Sequence, residues 1–120
     1  MQFYFYEPME DLVALYRVLS FKEFEVVKNH SFKAFPERFF SKNDTVIFSN
    51  REYALRVANE PNNQKMRQKM IVAKFLYLTE QLKSVAINHN PLYSIVPKGK
   101  VREFNAGIVG MISLDEVVEA

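Results

Sequence analysis

Leu15-Tyr16-Arg17-Val18-Leu19-Ser20-Phe21-Lys22-Glu23 changes its period part-way along. Leu15 to Leu19 gathers β-forming side chains around one charge, which predicts a short strand with Arg17 projecting from one face. Ser20 and Glu23 then stand at capping-box spacing, and Phe21, Phe24 and Val27 or Lys28 recur at helical intervals. The pattern predicts a helix from Phe21 to about Asn29.

Outward from this junction, Ser31 to Asp44 contains Pro36, several aromatics and a polar cluster, and reads as mostly loop. Thr45-Val46-Ile47-Phe48 is a compact strand, and Asn50 is placed to cap a helix whose stripe is Tyr53, Ala54, Val57 and Ala58. Met70 to Leu78, rich in β-formers and clear of Gly and Pro, is the plainest strand, followed by a short helix from Thr79 through Val85. Tyr93-Ser94-Ile95-Val96 predicts a strand between the turns Asn88-His89-Asn90-Pro91 and Pro97-Lys98-Gly99-Lys100. Val101 to Phe104 and Gly107 to Leu114 close the chain as a strand or strand pair broken at Asn105-Ala106-Gly107. Short strands interleaved with helices, without regular βαβ spacing, predict an α+β fold.

The composition bounds the chemistry. With 120 residues, 48% of them hydrophobic, the chain should form a single domain over 1–120 around one core. It has no cysteine, which excludes disulfides, Cys-ligated metals and a thiol nucleophile. A formal charge of +2 is weak for a dedicated duplex-DNA binder, though a nucleotide or short RNA stays compatible. No apolar run approaches the ~18 residues that span a bilayer. Met1 to Pro8 lacks a basic lead and a small-residue cleavage site, so the expectation is a cytoplasmic protein or one delivered as an effector. His30 and His89 have no neighbour at metal-ligand spacing, so no metal is expected. Phosphate-loop, dinucleotide-loop and Gly-x-Ser-x-Gly signatures are missing from the sequence.

Polar residues punctuate the apolar runs at Arg17, Ser49 and Glu103. Each has a plain structural use: Arg17 on the solvent face of an edge strand, Ser49 as a strand-to-helix cap, Glu103 in a surface pair with lysine. Taken in order, the Arg-Ser-Glu layout resembles the small ADP-ribosyltransferase-like domains of bacterial toxins and related effectors. Arg17 followed by Ser20 matches the first strand and its hydroxyl residue. Ser49 entering a helix that carries Tyr53 matches the middle motif, and Glu103 matches the late glutamate. The likeness runs from about Tyr16 to Leu114. Phe48-Ser49-Asn50 stands where the family often has Ser-Thr-Ser. Val101, two residues before Glu103, stands where arginine-modifying members often carry Glu or Gln.

The resemblance implies a compact α+β split-sheet core with two or three short helices, and a bacterial or phage toxin or effector that uses NAD as substrate. Glu103 would stabilise the oxocarbenium-like state as the nicotinamide–ribose bond breaks, and Ser49 would orient it. Arg17 would grip the pyrophosphate with its two-pronged guanidinium, Ser20 would touch a ribose or phosphate, and Tyr53 would stack on nicotinamide. A ring from Phe35, Phe39 or Phe40 would cover the other side. Implied partners are NAD, a protein or nucleic-acid acceptor and a neutralising protein. The competing expectation is a non-catalytic RNA- or protein-binding module of toxin–antitoxin or interaction type. It would use Lys65-Met66-Arg67-Gln68-Lys69 and Lys98-Gly99-Lys100-Val101-Arg102 as a basic surface. Phe3-Tyr4-Phe5-Tyr6 would dock on another chain or add an edge strand to the domain's own sheet.

Overall fold

The computed structural model describes residues 11–37, 44–60, 69–88 and 90–118. Phe3 to Tyr6, Phe39, Phe40, residues 65–68 and His89 lie outside the described residues. The elements run β1 (Leu12–Ser20), α1 (Phe21–Asn29), β2 (Thr45–Phe48), α2 (Arg51–Ala58), β3 (Met70–Leu78), α3 (Thr79–Val85), β4 (Tyr93–Val96), α4 (Val101–Asn105) and β5 (Ile108–Val118). The fold is α+β, with the strands in one antiparallel sheet of order β4-β2-β1-β3-β5.

Local chemistry sets the element ends. The Ser20 hydroxyl accepts the Glu23 N–H at 3.1 Å while Glu23 Oε1 faces the Ser20 N–H at 3.5 Å, so the strand stops where the capping box begins. Asn50 Oδ1 accepts the Tyr53 N–H at 2.8 Å and starts α2.

Alternation along the strands gives the sheet two unlike faces. Leu15 and Leu19 of β1, with Ile71, Ala73, Phe75 and Tyr77 of β3, join the larger core together with α1, α3 and α4. Tyr16, Phe48 and Val72 turn the other way and pack with Ala54 and Ala58 of α2 alone. β1 and β3 pair along their whole length, from Leu12↔Leu78 to Ser20↔Met70. The outer edges are held by single links from loops. Ile112 of β5 donates its N–H to the Phe32 carbonyl at 2.6 Å, and Ile87 exchanges hydrogen bonds of 2.7 and 2.9 Å with Ile95 of β4.

The β3–β5 ladder shifts register twice, between Val72 and Ala73 and between Lys74 and Leu76. Gly110, at φ +78°, supplies the left-handed backbone within the second irregularity. At the first, Asp115 and Glu116 reach the same side, although neighbours on a regular strand point to opposite faces. Asp115 Oδ2 accepts from Arg51 Nε at 2.6 Å and Glu116 Oε1 from Arg51 Nη2 at 3.1 Å, tying α2 to the sheet edge.

Two expectations are corrected. The described residues form four helices rather than two or three, because Val101 to Phe104 is helical and not a strand. The reason is the spacing of the apolar pair: Val101 and Phe104 are both fully buried, which one helical turn achieves, whereas alternation would have sent them to opposite faces. β5 also runs on to Val118, beyond the expected Leu114.

Candidate functional site

Arg17 sits on β1, the middle strand of the sheet, with 6% of its surface exposed, so the edge-strand, solvent-facing placement is excluded. It shares the alternation of Leu15 and Leu19 and therefore enters the larger core. Its Nη2 lies 3.1 Å from Glu23 Oε2, and its guanidinium lies over the Phe35 ring, 5.3 Å from the centroid. Burial pushes the Arg17 pKa down, and the Glu23 charge and hydrogen bond pull it back up. One carboxylate thus serves both the helix cap and the buried cation. Arg17, Ser20 and Glu23 form one connected cluster.

Phe35 is the support beneath that cluster. It is 1% exposed and packs on Phe75 and Phe104, with ring centroids 5.2 and 6.3 Å away. Asn105 of α4 fixes its backbone from both sides: Oδ1 accepts the Phe35 N–H and Nδ2 donates to the Phe35 carbonyl, each at 2.9 Å.

Glu103 lies exposed on α4, not on a strand. It lines a cavity of about 350 Å³ together with Glu37, Gly99, Val101 and Arg102. Arg102 Nη2 is 3.2 Å from Glu37 Oε2 at the surface of this cavity. The turn leading into it is set by Gly99 at φ +85° and by Asp44 Oδ1, which accepts the Lys98 N–H at 2.9 Å.

Ser49 and Tyr53 fall elsewhere. β2 pairs with β4 from Thr45↔Val96 to Phe48↔Tyr93, so Ser49 follows one end of β2 while the Lys98 turn and α4 follow the other. The exposed Ser49 hydroxyl donates to the Pro91 carbonyl at 3.0 Å. Tyr53 belongs to the α2 side of the sheet, edge-on to Phe48 at 5.7 Å and stacked on Tyr93 at 6.2 Å, with Arg56 over its ring at 5.8 Å. The structure therefore brings Arg17 and Ser20 together, sets Glu103 in a separate cavity on the same side of the sheet, and puts Ser49 and Tyr53 apart from both.

Phe35, one of the rings expected to cover a ligand, is instead buried beneath Arg17. Glu23, Glu37, Arg102 and Asn105 join these clusters without a sequence signal that marks them as site residues. Glu23 is visible only as half of the capping box, and Arg102 only as one charge in a basic run. Among the described residues, no group of His, Cys, Asp or Glu side chains is placed to hold a metal ion, and no helix is long and apolar enough to cross a membrane. His30 Nδ1 lies 2.9 Å from the Val26 carbonyl at the end of α1. Compared with family models, curated proteins and solved structures, the chain matches none.

Proposed function

We propose that the chain is an ADP-ribosyltransferase-like toxin or effector domain that cleaves the nicotinamide–ribose bond of NAD, with Glu103 as the carboxylate facing the reacting sugar. The observation that carries this reading is the Glu103 cavity, where an exposed carboxylate stands beside an exposed guanidinium on the helix that follows a glycine turn. As the C1′–N bond breaks, the bonding pair leaves with nicotinamide and neutralises its ring. The positive charge left on the ribose is stabilised by the Glu103 carboxylate. Water or an acceptor on a protein or nucleic acid then bonds to C1′ and releases its proton to solvent.

Arg102 takes the pyrophosphate here, because a guanidinium binds two phosphate oxygens at once and Arg102 reaches the cavity. Arg17 acts as a positioning residue: it holds Glu23 and Phe35, and Phe35 in turn packs on Phe104 beside Glu103. The split-sheet likeness to the toxin domains belongs to this proposal, supported by the matching order of Arg17, Ser49 and Glu103 along the chain.

The test is nicotinamide release from NAD by the purified protein, followed by chromatography beside Glu103→Gln and Arg102→Ala. Release that disappears in Glu103→Gln at unchanged melting temperature, and that needs more NAD in Arg102→Ala, supports the assignment. Full release by Glu103→Gln, or no release together with no NAD-dependent rise in melting temperature, overturns it.

A further inference from the structure

A second cavity, of about 390 Å³, opens where β1 runs into α1, lined by Ser20, Phe21, Lys22 and Lys69. The ladder explains the grouping: Ser20 pairs with Met70, so the residue after Ser20 and the residue before Met70 meet across the sheet end. Phe21 is 44% exposed and offers its ring at the mouth of this cavity. The Lys69 ammonium stands over this ring, 5.7 Å from its centroid. Lys22 and Lys69 are both exposed. Of the two α1 carboxylates beside Lys22, Glu23 is engaged by Arg17 and the Ser20 N–H, and Glu25, one helical turn on from Lys22, is exposed.

We infer that this cavity is a docking point for single-stranded nucleic acid, with Phe21 as the stacking platform for one base and Lys22 and Lys69 as phosphate ligands. Two features select this occupant. A partly exposed aromatic ring suits the face of any base, and the cations beside and over it suit the backbone that carries that base. Lys69 also closes the run Lys65-Met66-Arg67-Gln68-Lys69, whose cations alternate with uncharged residues. Acidic peptide would satisfy the lysines and leave the ring without a planar partner. The site is independent of Glu103 and of NAD turnover.

Fluorescence anisotropy tests it, with labelled oligouridylate and oligothymidylate of about 12 nucleotides and polyglutamate as competitor. The wild-type protein is expected to bind at low salt, with affinity falling as salt rises. Phe21→Leu, which keeps apolar bulk but loses the flat face, should weaken binding about 10-fold without changing the salt slope, and Phe21→Tyr should restore it. Lys69→Gln should flatten the salt slope by about 0.7 for each phosphate that the ammonium group neutralises in the wild-type protein. No binding at low salt, equal binding by Phe21→Leu, or displacement by polyglutamate as efficient as by unlabelled oligonucleotide overturns the inference.

Discussion

Asn105 and Phe35, 70 residues apart in sequence, exchange a reciprocal pair of 2.9 Å hydrogen bonds, so a side-chain amide does the work of a strand neighbour for an irregular segment. Phe35 brings its ring under Arg17 by this means. Asn105→Ala should lower stability by about 1–3 kcal/mol, since it removes both hydrogen bonds that the Asn105 amide makes to the Phe35 backbone. Asn105→Asp retains the acceptor alone and should fall between. A urea midpoint for Asn105→Ala equal to that of wild type would show that solvent replaces both bonds.

The Arg17–Glu23 pair makes a sharper forecast. Glu23→Ala withdraws the carboxylate from a buried guanidinium and removes half the capping box, a loss of roughly 3 kcal/mol. Arg17→Met, which replaces the cation by an apolar chain of similar length, should cost less than Glu23→Ala. Chemical denaturation of the single and double variants checks this. Additive effects of the two substitutions would mean that the pair is not coupled.

Much of this architecture is legible in the sequence because it is locally encoded. The Ser20–Glu23 cap, the Asn50 cap and the β-branched runs at Thr45 and Met70 each carry their signal within a few residues, and the matching elements form where the pattern puts them. The α4 turn is read wrongly as a strand because five residues hold too little periodicity to separate an i, i+3 pair from alternation, and Glu103 goes with it. The surroundings of Arg17 lie beyond a local reading. Its burial depends on β1 lying between β2 and β3 and on Phe35 folding back under it, both consequences of pairing between distant segments. Ser49 shows the same limit: its position after β2 is readable, and its hydrogen bond to Pro91 is not.

Gly107 packs its backbone against the ring of Tyr77. A Cβ built there would lie 2.7 Å from the Tyr77 hydroxyl oxygen and closer still to the ring, and Tyr77, with 0% exposure, has no room to retreat. Gly107→Ala should therefore destabilise by about 3 kcal/mol. Gly110→Ala meets open space and only the strain of a positive φ, about 1 kcal/mol. Thermal or urea unfolding of the two variants should rank them in that order, and the reverse ranking would refute the packing argument.

Tyr77 also gives the domain an alkaline limit. Its hydroxyl donates to the Phe104 carbonyl at 2.5 Å, and burial raises its pKa above the ordinary value of 10.0. The folded state keeps this proton while the unfolded chain loses it, so the contribution is whole below pH 10.0 and declines as pH rises beyond that value. The decline from this one group is about 1.4 kcal/mol per pH unit. Tyr77→Phe should be less stable than wild type at neutral pH by about 1 kcal/mol, having lost the hydrogen bond, and should fall less steeply above pH 10.0. Parallel stability-versus-pH curves for the two proteins would contradict this.

The ladder joining Leu12–Ser20 to Met70–Leu78 ties the two central strands across about half the chain, and its last register partner is Leu78. On the ribosome, β1 is made early and then waits, with one flank of its backbone and the apolar side chains Leu15 and Leu19 uncovered, until β3 has left the exit tunnel. The α1 cap, complete once Glu23 has emerged, gives the waiting strand a fixed end and a first cover through Phe24 and Val27. Nascent chains stalled before residue 70 should then engage chaperones, and chains stalled well after residue 78 should release them.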